Sequence, residues 1–344
     1  DYNSGGITPV CARDASPEEG EGYAARRRRG PPTVRVSVSR HVDSVGPLDG
    51  VKAAIQRIAE DPLFLKGDDW LRVIGIKTYL DGGMLTGSAY MLQPWGVSEI
   101  YAIRDPAYRG VRFIPDDRLS AMVRAAAELG LQFTAHAVGD GAVDALLKAY
   151  AEVSRDLPLR ATRPSISHSN FMSPESVREA ARLGIAIDVQ PIWLHLDAHT
   201  LLRQFGAERL SAFQPLKSLF DAGVTAGGGS DHMQKIGALR AINSYDPFLG
   251  MATAVTRRAR KLSSPLHPEE SLTREQAIRL YTIGSARVLR SEDRLGSIEP
   301  GKLADLVVLD ADPLTCPEEK LASIRPVRTY VGGRVVYARE EGRK

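Results

Sequence analysis

Apolar and polar positions along this chain follow two alternating periods. Short β-branched and apolar runs predict strands at residues 6–10, 33–39, 72–79, 131–136, 164–168, 185–190 and 223–230, the sixth extending toward Ile192. Between them the period lengthens to that of a helix. Residues 48–60 read as helical, and Asp116 to Leu129 place Leu119, Met122, Val123 and Ala126 on one face before Gly130 stops the run. Val143, Leu146, Leu147 and Tyr150 form the next stripe. Ser173-Pro174 is an N-cap and first-turn pair for a helix that Gly184 ends, and 207–221 reads mostly as helix. Strands alternating with helices imply βαβ units and a parallel sheet, which curls into a barrel or winds doubly. No Gly-x-Gly-x-x-Gly follows the first strand, which disfavours a dinucleotide fold.

Polar residues stand at the tails of four of these runs: Lys77, His136, His168 and Asp231. Chemistry at successive strand ends is the arrangement of an active site on the C-terminal rim of a (β/α) barrel. A lysine in an apolar strand is costly unless it meets a partner or is chemically altered. A closed barrel needs eight strands and seven are counted, so a first strand is expected before Asp1. Beyond the barrel, Thr273-x-x-Gln276 reads as a capping box for a helix through Val288. Gly296 to Asp310 reads as a turn and a strand, and Val327 to Tyr337 as a hairpin turning on Gly332-Gly333. This divides the chain into a barrel at 1–285 and a small β-domain at 286–344, whose few strands need partners that residues 1–32 do not supply.

Composition changes this picture little. At 344 residues, 43% hydrophobic and 25% charged, the chain suits one large domain with an appendage. A net charge of +3 gives no nucleic-acid footprint, and the run Arg26 to Arg29 reads as a solvated helix end before Pro31-Pro32. Cys11 and Cys316 stand far apart, so no disulfide framework is expected. No run is long enough to cross a bilayer and no signal peptide is visible, so a cytoplasmic address is expected. Asp1 in place of Met reads as processing or as a fragment.

The stretches Ile76-Lys77 with Asp81-Gly82, His136-Ala137-Val138-Gly139-Asp140, Ser167-His168, Gly229-Ser230-Asp231 and the tail from Leu272 to Asp310 with Gly333 to Tyr337 resemble the amidohydrolase superfamily. The Lys77 stretch points to the subgroup that includes N-substituted formamide deformylase. The resemblance implies a (β/α)8 TIM-type barrel, here lacking its first strand, with the remnant of a small β-sandwich at the C-terminus. It implies a divalent metal, zinc or else iron or another ion, one or two in number, held by Lys77, His136, His168 and Asp231. Asp231 would also be the general base, and Lys77 would carry a carbamate. The family's His-x-His pair has no counterpart in this sequence, which truncation explains better than mutation.

The function expected is metal-dependent hydrolysis of a non-peptide amide C–N bond in a small molecule. Two other readings stay open: a truncated or degenerate non-catalytic barrel, and a related hydrolase of cyclic amides or esters; this chain alone is expected to bind metal poorly and show little activity. Substrate contacts are expected from Asp81, Gly82, His232 and Trp193, while Tyr79 and Trp95 read equally as pocket wall or core. Lys77 could instead pair with Asp81 or Asp231. Asp140 reads as a helix cap or a loop orienter. His195 and His199 lack the Glu of a His-Glu-x-x-His and read as rim-loop residues or substrate contacts. Self-association is left open; membrane and nucleic-acid partners are not expected.

Overall fold

A computed structural model describes residues 1–66, 68–232 and 244–340. Among these, seven strands run parallel: β1 (Pro9–Ala15), β2 (Arg35–His41), β3 (Leu71–Tyr79), β4 (Gln132–Ala137), β5 (Ser165–His168), β6 (Ala186–Val189) and β7 (Ala226–Gly228). Each pairs with its neighbours in sequence, in the order β1 to β7. The sheet curls into an incomplete TIM-type barrel with β1 and β7 as its edges. Its curl is visible in one contact: Arg13 of β1 reaches Asp188 of β6 at 2.9 Å across the interior, while also donating to Gln132 Oε1 of β4.

Helices cover the outside as the periodicity predicts. They are α1 (Pro17–Arg28), α2 (Leu48–Ala59), α3 (Asp116–Glu128), α4 (Asp140–Val153) and α5 (Pro174–Leu183). Ile76, Phe133, Ala135, Ile166 and Ile187 turn outward from the strands into one buried cluster with Met122, Val123, Leu146 and Val177. The inward positions are polar instead: Ser39, Lys77, Gln132, Thr134, Ser165 and Ser167 are all buried. Period-two alternation thus sorts grease to the helices and polar groups to the barrel axis. The expected caps are present: Ser173 accepts from Ser176 N–H, and Thr273 and Gln276 form a capping box.

Three sequence expectations are corrected. The first strand runs from Pro9 to Ala15 rather than over 6–10. The sixth ends at Val189, because Pro191 opens α6 (Pro191–Arg209) as its first-turn proline. His195 and His199 therefore lie on a helix and not on a rim loop, and Trp193 lies in the first turn of the same helix. The expected helix at 207–221 is the end of α6, a 3₁₀ turn and α7 (Leu216–Asp221), which Pro215 separates from what precedes it.

Further on come α8 (Pro247–Thr256), α9 (Arg274–Arg279) and α10 (Ser285–Val288), the last two joined by a π-helical turn at Leu280–Gly284. A three-stranded antiparallel sheet follows: β8 (Leu306–Leu309), β9 (Pro326–Val331) and β10 (Arg334–Ala338). Gly332 and Gly333 both have positive φ, at 58° and 76°, as a two-residue hairpin turn requires. The N-terminal segment does supply a partner to this sheet, though not a strand. Thr329 Oγ1 donates to Asn3 O at 2.7 Å, and Asn3 Nδ2 donates to Ile7 O and Thr33 O. A buried Arg35–Asp305 ion pair at 2.8 Å fastens the same sheet to β2.

A second apolar cluster is built from the long β3–α3 connection and α6. It contains Met84, Met91, Trp95, Phe171, Leu194, Leu201 and Phe213. These segments follow the C-terminal ends of their strands, so this cluster stands around the mouth of the barrel. Trp95 is thereby settled as core, 2% exposed, with its indole N–H donating to Ala89 O.

Candidate active site

Lys77, His136 and His168 end three consecutive strands, and parallel register brings them together. Lys77 is opposite Thr134, and Ala137 is opposite His168. The His136 and His168 rings meet edge to face with centroids 4.5 Å apart. Burial drives the Lys77 pKa down to about 8, against the raising effect of Asp188. Burial also holds the His136 imidazole well below its ordinary pKa, helped by His168 and Lys77. His168 is lowered in the same way, with Asp231 opposing. Two neutral imidazoles beside an amine tuned toward neutrality are donors rather than charges at neutral pH.

Hydrogen bonds fix which ring nitrogen keeps its lone pair. Gln190 Nε2 donates to Asp188 O, which turns Gln190 Oε1 toward His168 Nδ1 at 2.8 Å. The proton is thus assigned to Nδ1, leaving Nε2 of His168 bare. His136 Nε2 lies 3.3 Å from Gly82 O, which assigns the proton to Nε2 and the lone pair to Nδ1. Strain gathers here as well: His168, Ser169 and Asp231 all have positive φ, at 80°, 46° and 51°. Non-glycine residues in that region cost free energy, and such residues cluster where a site dictates the backbone.

Asp81 and Gly82, expected as substrate contacts, stand beside His136, whose Nε2 lies 3.3 Å from Gly82 O. The Asp81 carboxylate is 1% exposed and accepts from the backbone N–H groups of Val138, Gly139 and Tyr90. Both its oxygens are committed to joining the β3 and β4 loops, 3.7 Å from His136 Nε2. Asp140 orients a loop, accepting from Leu92 N–H at 2.8 Å. His232 packs against the rings of Tyr245 and Tyr2, at 4.8 and 6.4 Å. Trp193 is half-buried in the first turn of α6.

Four polar residues at the mouth and axis escaped the sequence reading: Arg13, Asp14, Asp188 and Gln190. A lone acid in the apolar run 185–192 is the one signal that pointed to any of them. Another buried acid, Asp197 of α6, is 5% exposed, and burial alone pushes its pKa from 3.8 up to about 7. A folded-state value above the unfolded one means that the folded state binds the extra proton. Stability then falls as pH rises from about 4 to about 7 and levels off above. Asp197→Asn is expected to remove that slope, worth about 4 kcal/mol at most. Urea midpoints of both proteins at pH 5 and pH 8 check it, and parallel pH dependence would contradict it.

A divalent ion suits these donors in kind, since imidazole nitrogen and carboxylate oxygen are ligands for zinc-like cations. Among the described residues, however, no three His, Cys, Asp or Glu side chains gather as a complete metal site.

Comparison with known proteins adds to this geometry. The profile of the amidohydrolase family matches residues 1–337. The Bacillus subtilis protein YtcJ is 30% identical over 264 residues, covering 76% of this chain and 46% of its own. The N-substituted formamide deformylase of Arthrobacter pascens is 32% identical over 236 residues, covering 67% of this chain and 41% of its own. A metal-dependent hydrolase from Pyrococcus furiosus, titled as uncharacterised, superposes with a TM-score of 0.73 at 25% identity, covering 91% of this chain and 58% of that one. The chain spans less than half the length of the curated relatives it matches.

Proposed function

We propose, from the premise that this chain belongs to the amidohydrolase family, that it carries part of a metal-dependent site that hydrolyses a small-molecule amide C–N bond. The observation that carries this reading is the pair of neutral imidazoles 4.5 Å apart at adjacent strand ends. Nδ1 of His136 and Nε2 of His168 would hold the ion, with Asp231 beside it and Lys77 contributing as its carbamate. The low pKa of Lys77, about 8, leaves a useful fraction of free amine to take up CO2. When bound, such an ion brings its water toward a pKa of about 7 and polarises the substrate carbonyl. Asp231 would accept the proton of the attacking water as the C–O bond forms. It then returns that proton to nitrogen as the C–N bond breaks. Trp193 and His232 are proposed to line the substrate side.

One observation favours a second reading, a barrel that keeps the scaffold without catalysis: the described residues complete no three-ligand site. Zinc titration of the 344-residue chain separates the two. Calorimetry with ZnCl2 in bicarbonate buffer is expected to show saturable uptake, weakened when bicarbonate is withheld. The bicarbonate effect is expected to vanish in Lys77→Ala. Hydrolysis of an N-formyl amine should rise with zinc and fall with a chelator. Zinc uptake without hydrolysis, or neither, leaves the non-catalytic reading standing.

A further inference from the structure

The end of β1 departs from regular pairing just where it reaches the mouth. Its register with β2 shifts between Ala12 and Ala15, so Arg13 and Asp14 form a bulge. Asp14 sits there at φ 74°, a conformation that costs free energy for a residue with a Cβ. Bulges of this kind re-aim side chains. Arg13 turns to the axis and Asp188, while Asp14 turns to the mouth. There its two carboxylate oxygens separate two partners: His41 Nδ1 at 2.6 Å and the Tyr79 hydroxyl at 2.9 Å. These three residues stand at the ends of β1, β2 and β3, of which β3 pairs with the strand of His136.

The contact chain continues into the site. The Tyr79 ring lies 5.1 Å from the His136 ring, tilted by 36°, and Lys77 Nζ is 5.6 Å from the same tyrosine ring. Stability does not call for this arrangement. Tyr79 is 39% exposed, and hydrogen bonds made in water at the rim contribute little to folding. A strained backbone that serves an exposed hydrogen bond is better explained by what the bond holds in place.

We propose that Tyr79 is a positioning residue for His136. Its phenol, tied to Asp14 and through Asp14 to His41, fixes the ring as a wall against which the imidazole is set. This rests on the reading of His136 as a metal donor, but the positioning itself can be read without metal. Imidazole ring signals of the metal-free chain, assigned with His136→Gln, are expected to move for His136 in both Tyr79→Phe and Asp14→Ala. Asp156→Ala, which removes a surface partner of Arg124, should leave them in place. Asp14→Asn keeps an oxygen for the phenol and is expected to restore the parental position. With ZnCl2 added, each of the two disruptive variants should bind about tenfold more weakly, the usual effect of removing an outer support of a ligand. The double variant should be no worse than either single one, because both act through one bond. An unmoved His136 signal in Tyr79→Phe and Asp14→Ala, or strictly additive losses, overturns the proposal. If the parent chain takes up no zinc, the ring signals alone decide it, and the failure belongs to the metal reading.

Discussion

Under the proposed function, exchanging His136 for alanine is expected to lower zinc-dependent amide hydrolysis by roughly three decades, and His168→Ala by a similar factor. Each removes one of two neutral imidazoles whose ring centroids stand 4.5 Å apart, edge to face. A metal ion contributes several kcal/mol to carbonyl polarisation and water activation, and each 1.36 kcal/mol is tenfold in rate, so about 4 kcal/mol gives that loss. The fold should not suffer in proportion. His136 is a neutral ring whose side chain is 16% exposed at the mouth, so no buried charge is stranded when it goes. The measurement is kcat/KM together with bound zinc per chain and the thermal midpoint. A loss of only a few-fold in activity, or parental zinc content in both variants, would remove these histidines from the site.

Gly75→Ala is expected to damage stability rather than chemistry. Gly75 lies within β3, opposite Ser39 on one side and Gln132 on the other. A Cβ there would come within 2.0 Å of the Gln132 carbonyl oxygen and 2.7 Å of the Gln132 Cβ. The obstacle is backbone, and the Gln132 side chain cannot yield. Its Nε2 donates to Arg163 O and Val288 O, and its Oε1 accepts from Arg13. Overpacking costs 1–3 kcal/mol where neighbours can shift, so about 3 kcal/mol or more is expected here, and a fall in thermal midpoint of about 6 °C. Gly50 is the contrast. It is exposed in α2 and an added Cβ meets nothing within 4 Å, so Gly50→Ala should stabilise by about 0.5–1 kcal/mol. Equal midpoints for the two variants would show that β3 and β4 have room to separate.

Burial at the mouth follows the same logic. Burial in the upper barrel makes unpaired charge costly. The lysine and both histidines respond by moving toward their neutral forms. The two imidazoles are neutral at pH 7, whereas Lys77, at about 8, keeps only a minor fraction of free amine there.

By itself the sequence determined the alternation of strands and helices, the helix stops at Gly130 and Gly184, and the Thr273 capping box. It also placed Lys77, His136 and His168 at strand ends. Each of these is local: a period, a cap or a residue with φ above zero is decided within a few positions of itself. The tertiary structure alone decided that Pro191 begins a helix, and that the Asp81 carboxylate accepts from three backbone N–H groups. It alone brought Arg13 to Asp188, and Asp14 to His41 and Tyr79. Those partners are separated by 175, 27 and 65 residues. Which of them meet depends on sheet curl and on a one-strand bulge, and neither leaves a periodic trace along the chain.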